Sequence, residues 1–184
     1  MSQNAAEVFV GRGLNIYLAP SGTALPTTMA APSASFTDLG YTSTDGVQMN
    51  FDATTEGITA HQSLEEIRRI KTAQSFTFSF NCMQWNDETM ALAFGGGDWA
   101  NVGGMWKYSP PAVEDDIIEY ALVADVEDGD INLRVLCARC VVDGSVETGI
   151  TNSAAATMPV TLRALKPETG GDAFNFLSDD VQFS

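Results

Sequence analysis

Basic residues and histidine are scarce in this chain, and their scarcity argues against several functions. The 184 residues contain nine Lys and Arg against 24 Asp and Glu, so the formal net charge is -15. Proteins that bind nucleic acid by neutralising phosphates need clustered Lys and Arg. The one basic cluster here is Arg68, Arg69 and Lys71. We therefore expect no binding of nucleic acid through a basic surface.

Cysteines and long apolar segments are also few. The three cysteines are an odd number, which argues against the disulfide framework of a secreted domain. No apolar run approaches the ~20 residues that span a bilayer. The first residues lack the basic and apolar regions of a signal peptide. We expect one domain, residues 1–184, made in a reducing cytoplasm and without a membrane segment.

The most regular pattern in the chain is a strand followed at once by a short helix. Between residues 74 and 83, apolar and polar side chains alternate, which predicts a strand with one buried face. Asn86 or Asp87 can cap a helix of about residues 87–95 that ends at a run of glycines. The buried face holds Phe76, Phe78, Phe80 and Cys82, and the opposite face holds Ser75, Thr77, Ser79 and Asn81.

The rest of the chain predicts further strands. One strand with a kink, or two short strands, is expected over 8–18, a hairpin over 36–51 with its turn at 44–46, and loops over 19–35 and 98–111. Strands are also expected over 117–126, 131–142 and 158–165, with a hairpin turn at 127–130. The tail, residues 166–184, is expected to form an edge strand or a docking arm. The fold class is therefore mainly β with one helix.

The segment 52–71 is polar and shows no sustained apolar stripe. If everything from Glu66 to Met83 were one strand, it would measure nearly 60 Å at ~3.3 Å per residue, whereas strands usually measure ~17–20 Å. Part of this stretch must therefore project from the domain or belong to a mobile loop. That expectation favours a role in assembly.

No motif predicts a catalytic, metal or cofactor site. Cys137 and Cys140 have CxxC spacing, but they lie within a strand pattern, where residues three apart point to opposite faces. His61 is the only histidine, it lies in a polar stretch, and no nucleophile motif accompanies it. The segment 125–130 departs from a calcium loop, because its glycine comes one place early and Leu136 stands where a glutamate is needed.

The order of the parts resembles the major tail tube proteins of long-tailed bacteriophages. The matching segments, in chain order, are GLNIYLAPSGTALP, FTDLGYTSTDGVQMNFD, ITAHQSLEEIRRIKT, SFTFSFNCMQWNDETMALAFGG and PVTLRALKPETGG. The resemblance covers nearly the whole chain, and the final FNFLSDDVQFS departs from it. It implies a β-sandwich or half-barrel with a flanking helix, an N-terminal arm (1–7), a long assembly loop (52–71) and a C-terminal arm (166–184).

The resemblance also implies a function in the virion. Subunits of this family form hexameric rings that stack into a hollow tube, assembled in the host cytoplasm, through which viral DNA leaves. Tape measure and other tail proteins are the implied partners, and DNA passes without specific binding, because an acidic lining does not hold a duplex. No cofactor is implied.

Two sets of residues are candidates for these roles. The assembly loop would contact neighbouring subunits through His61, Gln62, Glu65, Glu66, Arg68, Arg69 and Lys71. Candidates for the face towards the lumen are Ser75, Thr77, Ser79, Asp125, Glu127, Asp128 and Asp130.

Two other classes of protein fit the same composition. A β-sandwich ligand-binding or adhesion module would present an aromatic platform, with Trp99, Trp106 and Tyr108 as candidates. A hydrolase with scattered carboxylates would lose turnover when a few acids are changed.

Overall fold

The computed structural model describes residue 4 and residues 7–180, which form ten strands and one α-helix. The elements are β1 (Gly13–Pro20), β2 (Thr37–Asp38), β3 (Gln48–Ala60), β4 (Ser63–Cys82), α1 (Asp87–Ala93), β5 (Asp98–Val102), β6 (Met105–Ser109), β7 (Glu119–Asp128), β8 (Ile131–Val142), β9 (Met158–Ala164) and β10 (Asn175–Leu177). Eight strands build one sheet in the order β2-β1-β7-β8-β9-β4-β3, with β10 paired to β8, and β5 and β6 form a separate hairpin. All of these pairings are antiparallel.

The large sheet curves around one apolar core. Side chains from β1 and β4, which lie near opposite ends of the strand order, belong to the same buried cluster. Residues of β7, β8 and β9 fill the space between them, and α1 adds Leu92 and Ala93. Because both ends of the sheet reach the same core, the sheet forms a half-barrel. The prediction of a mainly β fold with one short helix is confirmed.

Helix α1 begins and ends where its sequence predicts. Asn86 is the N-cap, and its side chain accepts a hydrogen bond of 2.8 Å from the backbone N–H of Thr89. Thr89 Oγ1 in turn accepts one of 3.1 Å from the backbone N–H of Asn86, so the two residues form a capping box. Gly95 follows the helix with a φ of +73°, a conformation that glycine adopts without a steric penalty.

The opposite face of the sheet is covered by the loop between β1 and β2. Phe36 packs against Val123 and other side chains of β7 and β8 in a second, smaller cluster. Arg134 fixes the loop in place, because its Nη1 donates to the carbonyl oxygens of Thr28 and Ala30 at 2.6 and 2.8 Å. The same guanidinium binds Asp125 through both carboxylate oxygens, at 2.6 and 2.7 Å. The predicted loop is therefore ordered by a buried cation.

Two predicted connections are wrong. The expected hairpin over 36–51 does not form, because β2 pairs with β1 at one edge of the sheet and β3 pairs with β4 at the other. The expected loop over 98–111 is the hairpin β5–β6, in which Trp99 lies directly opposite Tyr108 with ring centroids 5.4 Å apart. The Tyr108 hydroxyl donates to the carbonyl oxygen of Gly96 and ties this hairpin to the end of the helix.

The two ends of the chain differ from the expectations in detail. The predicted N-terminal strand is shorter, because β1 begins at Gly13 and leaves Val8 and Val10 exposed. In the tail, β10 pairs with β8 as an edge strand, and Phe174 stacks on Phe76 with ring centroids 4.0 Å apart. Most of the expected N-terminal arm (1–7), and residues 181–184 of the expected C-terminal arm (166–184), lie outside the described residues.

Candidate assembly surface

The segment 52–71 is part of a long β-hairpin, so the prediction of a loop is wrong. Strands β3 and β4 pair from Gln48 opposite Ser79 to Ala60 opposite Ser63. Strand β9 pairs with β4 only from Thr77 onwards. Residues 52–74, which we call the hairpin arm, therefore extend beyond the core for roughly 30 Å, the length of the nine residues 52–60 of β3 at ~3.3 Å per residue. Three register shifts interrupt the arm, which is typical of β-bulges.

The tip of the hairpin arm is polar at the turn and apolar beside it. His61 and Gln62 are exposed and form the two-residue connection between the strands. Next to them, Leu64 is 101% exposed and Ile67 is 61% exposed. Large apolar side chains that face water together mark a surface for another macromolecule more often than isolated ones do. Leu64 and Ile67 were not among the predicted site residues, although each interrupts a polar segment and thus stood out in the sequence.

The charged residues of the hairpin arm are only partly paired within the chain. Glu66 accepts two hydrogen bonds from Arg69, at 2.9 and 2.8 Å, and these lower the pKa of its carboxyl. Lys71 Nζ donates to the side chain of Gln74 at 3.3 Å. Glu65 and Arg68 make no ion pair with any described residue. These two charges remain available to a partner.

The second set of candidates begins on the polar face of β4. Ser75, Thr77 and Ser79 are half-buried and lie on the side opposite the core-facing phenylalanines. Ser79 Oγ is hydrogen-bonded to Thr161 Oγ1 of the neighbouring strand at 2.9 Å. These residues therefore form one side of a continuous polar surface over β4 and β9.

The four acidic candidates lie at the β7–β8 turn and differ in their surroundings. The Asp125 side chain is only 14% exposed and is held by Arg134. The Asp128 side chain is equally shielded, lies 3.4 Å from Arg12 Nε and accepts a hydrogen bond of 2.7 Å from the backbone N–H of Val10. Glu127 and Asp130 are exposed. Only these last two present open carboxylates to solvent.

The expectation that Cys137 and Cys140 face opposite sides of their strand is wrong. Cys140 lies opposite Tyr120 and Cys137 lies opposite Leu122, so two residues of β8 face the single residue Ala121. This bulge adds one residue to the alternation, and both thiols enter the same core. Burial raises the pKa of Cys137 to about 12, so its thiol stays protonated and is a poor nucleophile.

The aromatic candidates for a ligand platform are not equally accessible. Trp99 and Tyr108 are half-buried, and Tyr108 lies 5.8 Å from the ring of Phe94. Trp106 is 68% exposed. Only one of the three rings is therefore open to solvent.

Within the described residues, no group of three or more His, Cys, Asp or Glu side chains is arranged to hold a metal ion. In the same part of the chain, no helix is long and apolar enough to cross a membrane. The most distinctive surface is instead the hairpin arm, which exposes both of its faces and an apolar tip. The exposed strand edge of such an arm presents backbone groups that can pair with another chain.

Comparison with known proteins assigns the family. A family model described as "Phage tail tube protein" matches the whole chain, residues 1–184, and the protein belongs to this family. It is accordingly a structural subunit of a phage tail tube, and its place is the tail of the virion. The sequence-based resemblance to tail tube proteins is confirmed.

The comparisons with curated proteins and with solved structures do not by themselves assign a family. No curated protein sequence gives a significant match. One similar solved chain comes from the "Virion of native gene transfer agent (GTA) particle", at 14% identity and a TM-score of 0.43, covering 96% of this chain and 99% of that one. Another comes from the "Tail of empty GTA particle computed with helical refinement, C6 symmetry", at 14% identity, a TM-score of 0.44 and the same coverage. The family assignment rests on the sequence model.

Proposed function

We propose that this chain is a single tail-tube domain whose copies form hexameric rings, and that the rings stack into a hollow tube that conducts viral DNA during ejection. The observation that supports it most is the hairpin arm. The N-terminal part of strand β4, before its first core residue Phe76, extends far from the core and is paired only with β3. It begins at Ser63, next to the exposed Leu64 and close to Ile67. A lone monomer gains little from such an arm, because an isolated two-stranded hairpin is marginally stable in water.

The edges of the sheet support self-association. No other strand of residues 7–180 pairs with the outer edge of β3, and β2 at the other edge of the sheet has only two residues. An open edge of this length invites another strand or chain, which monomeric proteins usually avoid. Contact between different surfaces of successive copies closes into a ring when the rotation allows it.

The polar and acidic surfaces suit a lumen through which DNA passes. The polar face around Ser75, Thr77 and Ser79 carries one basic group, Arg163 opposite Thr77, and its charge is paired with Asp143. Glu127 and Asp130 present open negative charge. An acidic or neutral lining lets a duplex slide, whereas clustered Lys and Arg would bind it. A basic bore in a tube of this protein would contradict the proposal.

The other expected partners follow from a tube function. Tape measure and other tail proteins would contact the assembled tube, and assembly would take place in the host cytoplasm. No catalysis is proposed, since the burial of both CxxC thiols removes the one motif with redox spacing.

Electron microscopy of the purified protein tests the proposal directly. We expect straight hollow tubes or rings from the unchanged chain, and monomers from a variant carrying Leu64→Ser and Ile67→Ser in the hairpin arm. The matched control carries Val113→Ser and Ile150→Ser, which replace side chains 103% and 77% exposed outside the arm, and should still assemble. Thermal unfolding, measured at a concentration at which all three proteins are unassembled, should be similar.

Two results would count against parts of the proposal. If the arm variant assembles as well as the unchanged chain, the tube stands but the arm is not the contact that drives association. If the unchanged chain remains monomeric at high concentration and instead binds a glycan through Trp106, the ligand-binding alternative is favoured.

A further inference from the structure

An open apolar pocket lies beside helix α1, at the end of the sheet far from the hairpin arm in strand order. It has a volume of about 270 Å³. Its walls come from β1, β2, β7 and the helix, and include Leu18, Leu39, Ala91 and Ile118. Glu88 stands at its rim and is exposed. Nothing in the chain's described residues fills this pocket.

We propose that the pocket is the seat for the tip of the hairpin arm of a second copy of this chain. This inference rests on the proposed function and names the surface that the arm contacts. Two unpartnered features of the same chain, an apolar tip and an apolar pocket, satisfy each other when two copies meet. Leu64 and Ile67 are the side chains that enter the pocket.

The position of the pocket in the sheet supports a contact that repeats. The hairpin arm extends from the β3–β4 end of the strand order, and the pocket adjoins β2 at the other end. A contact between opposite ends of one chain is heterologous, so each copy offers a free arm to one neighbour and a free pocket to the next. Such a contact generates rings or helical stacks, as a tube requires.

One pair of opposite charges can form between the two surfaces. Arg68 follows Ile67 on the arm and has no ion-pair partner among the described residues, and Glu88 at the pocket rim has none either. Glu66, on the other side of Ile67, is already paired with Arg69. The charge next to Ile67 that is left for Glu88 is therefore that of Arg68, and a pair between them fixes the orientation of the arm.

Disulfide trapping between subunits tests the seat. In a chain that carries both Leu64→Cys and Ala91→Cys, mild oxidation of assembled tubes should give a ladder of covalent oligomers on a non-reducing gel. The native cysteines Cys82, Cys137 and Cys140 are buried and should not contribute. The matched control pairs Leu64→Cys with Thr27→Cys, an exposed position on the loop over the other face of the sheet, and should give no ladder.

A charge exchange gives a second readout. Glu88→Arg alone should raise the critical concentration for tube formation at least several-fold. Glu88→Arg together with Arg68→Glu should return the critical concentration to that of the unchanged chain. Thermal unfolding of the monomer should be lowered slightly and to the same extent in both variants, since both side chains are exposed and the loss of Glu88 from the first turn of α1 is common to them.

The outcomes separate this inference from the proposed function. Tubes without a ladder, or a ladder equally strong with Thr27→Cys, would overturn the pocket as the seat while leaving the tube intact. A chain that forms no assembly in any variant would overturn the proposed function and the seat with it.

Discussion

Strand β4 has one continuous extended backbone, but its first part, residues 63–74, and its second part, residues 75–82, differ in the burial of their side chains. In the second part every other residue is buried in the core, and Phe78 is completely inaccessible to solvent. The first part is exposed on both faces apart from Ser63. One continuous strand is therefore stabilised by side-chain burial at one end and only by its pairing with β3 at the other. A strand can thus extend beyond the core while it keeps its pairing with one neighbouring strand.

The largest difference between the two parts should appear when a core phenylalanine is truncated. We expect Phe78→Ala to lower the free energy of unfolding by ~3–5 kcal/mol, because the change leaves a cavity in a packed core. For a chain of this length, that corresponds to a drop of about 10 °C in Tm. Thermal and urea denaturation of the unassembled protein would measure it. A loss below ~1 kcal/mol would mean that the core is not packed as described.

A similar contrast is expected between a buried Arg–carboxylate pair of the core and an exposed pair of the hairpin arm. Asp125→Asn should lower the free energy of unfolding by ~3–5 kcal/mol, because it leaves the buried Arg134 without its counter-charge. Glu66→Gln removes the exposed partner of Arg69 in the hairpin arm and should leave urea denaturation unchanged. Equal effects of the two substitutions would show that the Asp125 pair is as well solvated as the one in the arm.

The cysteines predict a smaller effect that depends on pH. Burial raises the pKa of Cys82 to about 11 and that of Cys137 to about 12, whereas an unfolded thiol has a pKa of ~8.5. The folded state then holds protons that the unfolded state releases. The stability from these thiols is complete below ~8.5 and is lost as the pH rises from there towards the folded values.

Urea denaturation at about pH 7 and about pH 10 checks this. The free energy of unfolding should fall between the two, and the fall should be smaller in a variant with Cys82→Ala and Cys137→Ala. An identical fall in that variant would assign the dependence to other groups, such as Tyr120, whose pKa is also raised by burial.

The smallest effect on stability is expected at the tip of the arm. Leu64→Ala should change the free energy of unfolding of the monomer by less than ~0.5 kcal/mol, because the side chain is fully exposed there. The same substitution should raise the critical concentration for assembly, which sedimentation would measure. A large loss of monomer stability would mean that the tip already packs against its own chain.

Much of the fold could be predicted from local patterns. The alternation from Phe76 to Cys82 indicates a strand with a buried face, and Asn86 with the glycines from Gly95 onwards marks the two ends of the helix. Each of these patterns lies within a few neighbouring residues, so it can be recognised without knowledge of the tertiary structure. The hairpin β5–β6 also has such a signal, since the glycine pair at 103–104 separates two runs of strand formers, although the density of aromatic residues and prolines there predicts a loop.

Other features depended on residues distant in sequence. The hairpin arm shows no alternation, because neither of its faces is buried and bulges interrupt its register. The bulge at Ala138 and Arg139 brings both CxxC thiols to one side, and only the pairing with β7 reveals it. The candidate residues on the arm fell within one exposed hairpin, whereas Asp125 proved to be the partner of a buried arginine. Sequence spacing alone does not distinguish an exposed carboxylate from a paired one.

Four properties can be read from the amino-acid sequence alone: the β-rich class, the short helix with its caps, the excess of negative charge and the membership of the tail tube family. They follow from composition, from periods of a few residues, or from similarity along the chain. The pairing of β2 and β3, the length of β4 and the open pocket beside α1 became apparent in the three-dimensional fold. Strand pairing and pockets arise from contacts between distant segments, and the free energy of those contacts depends on the whole fold.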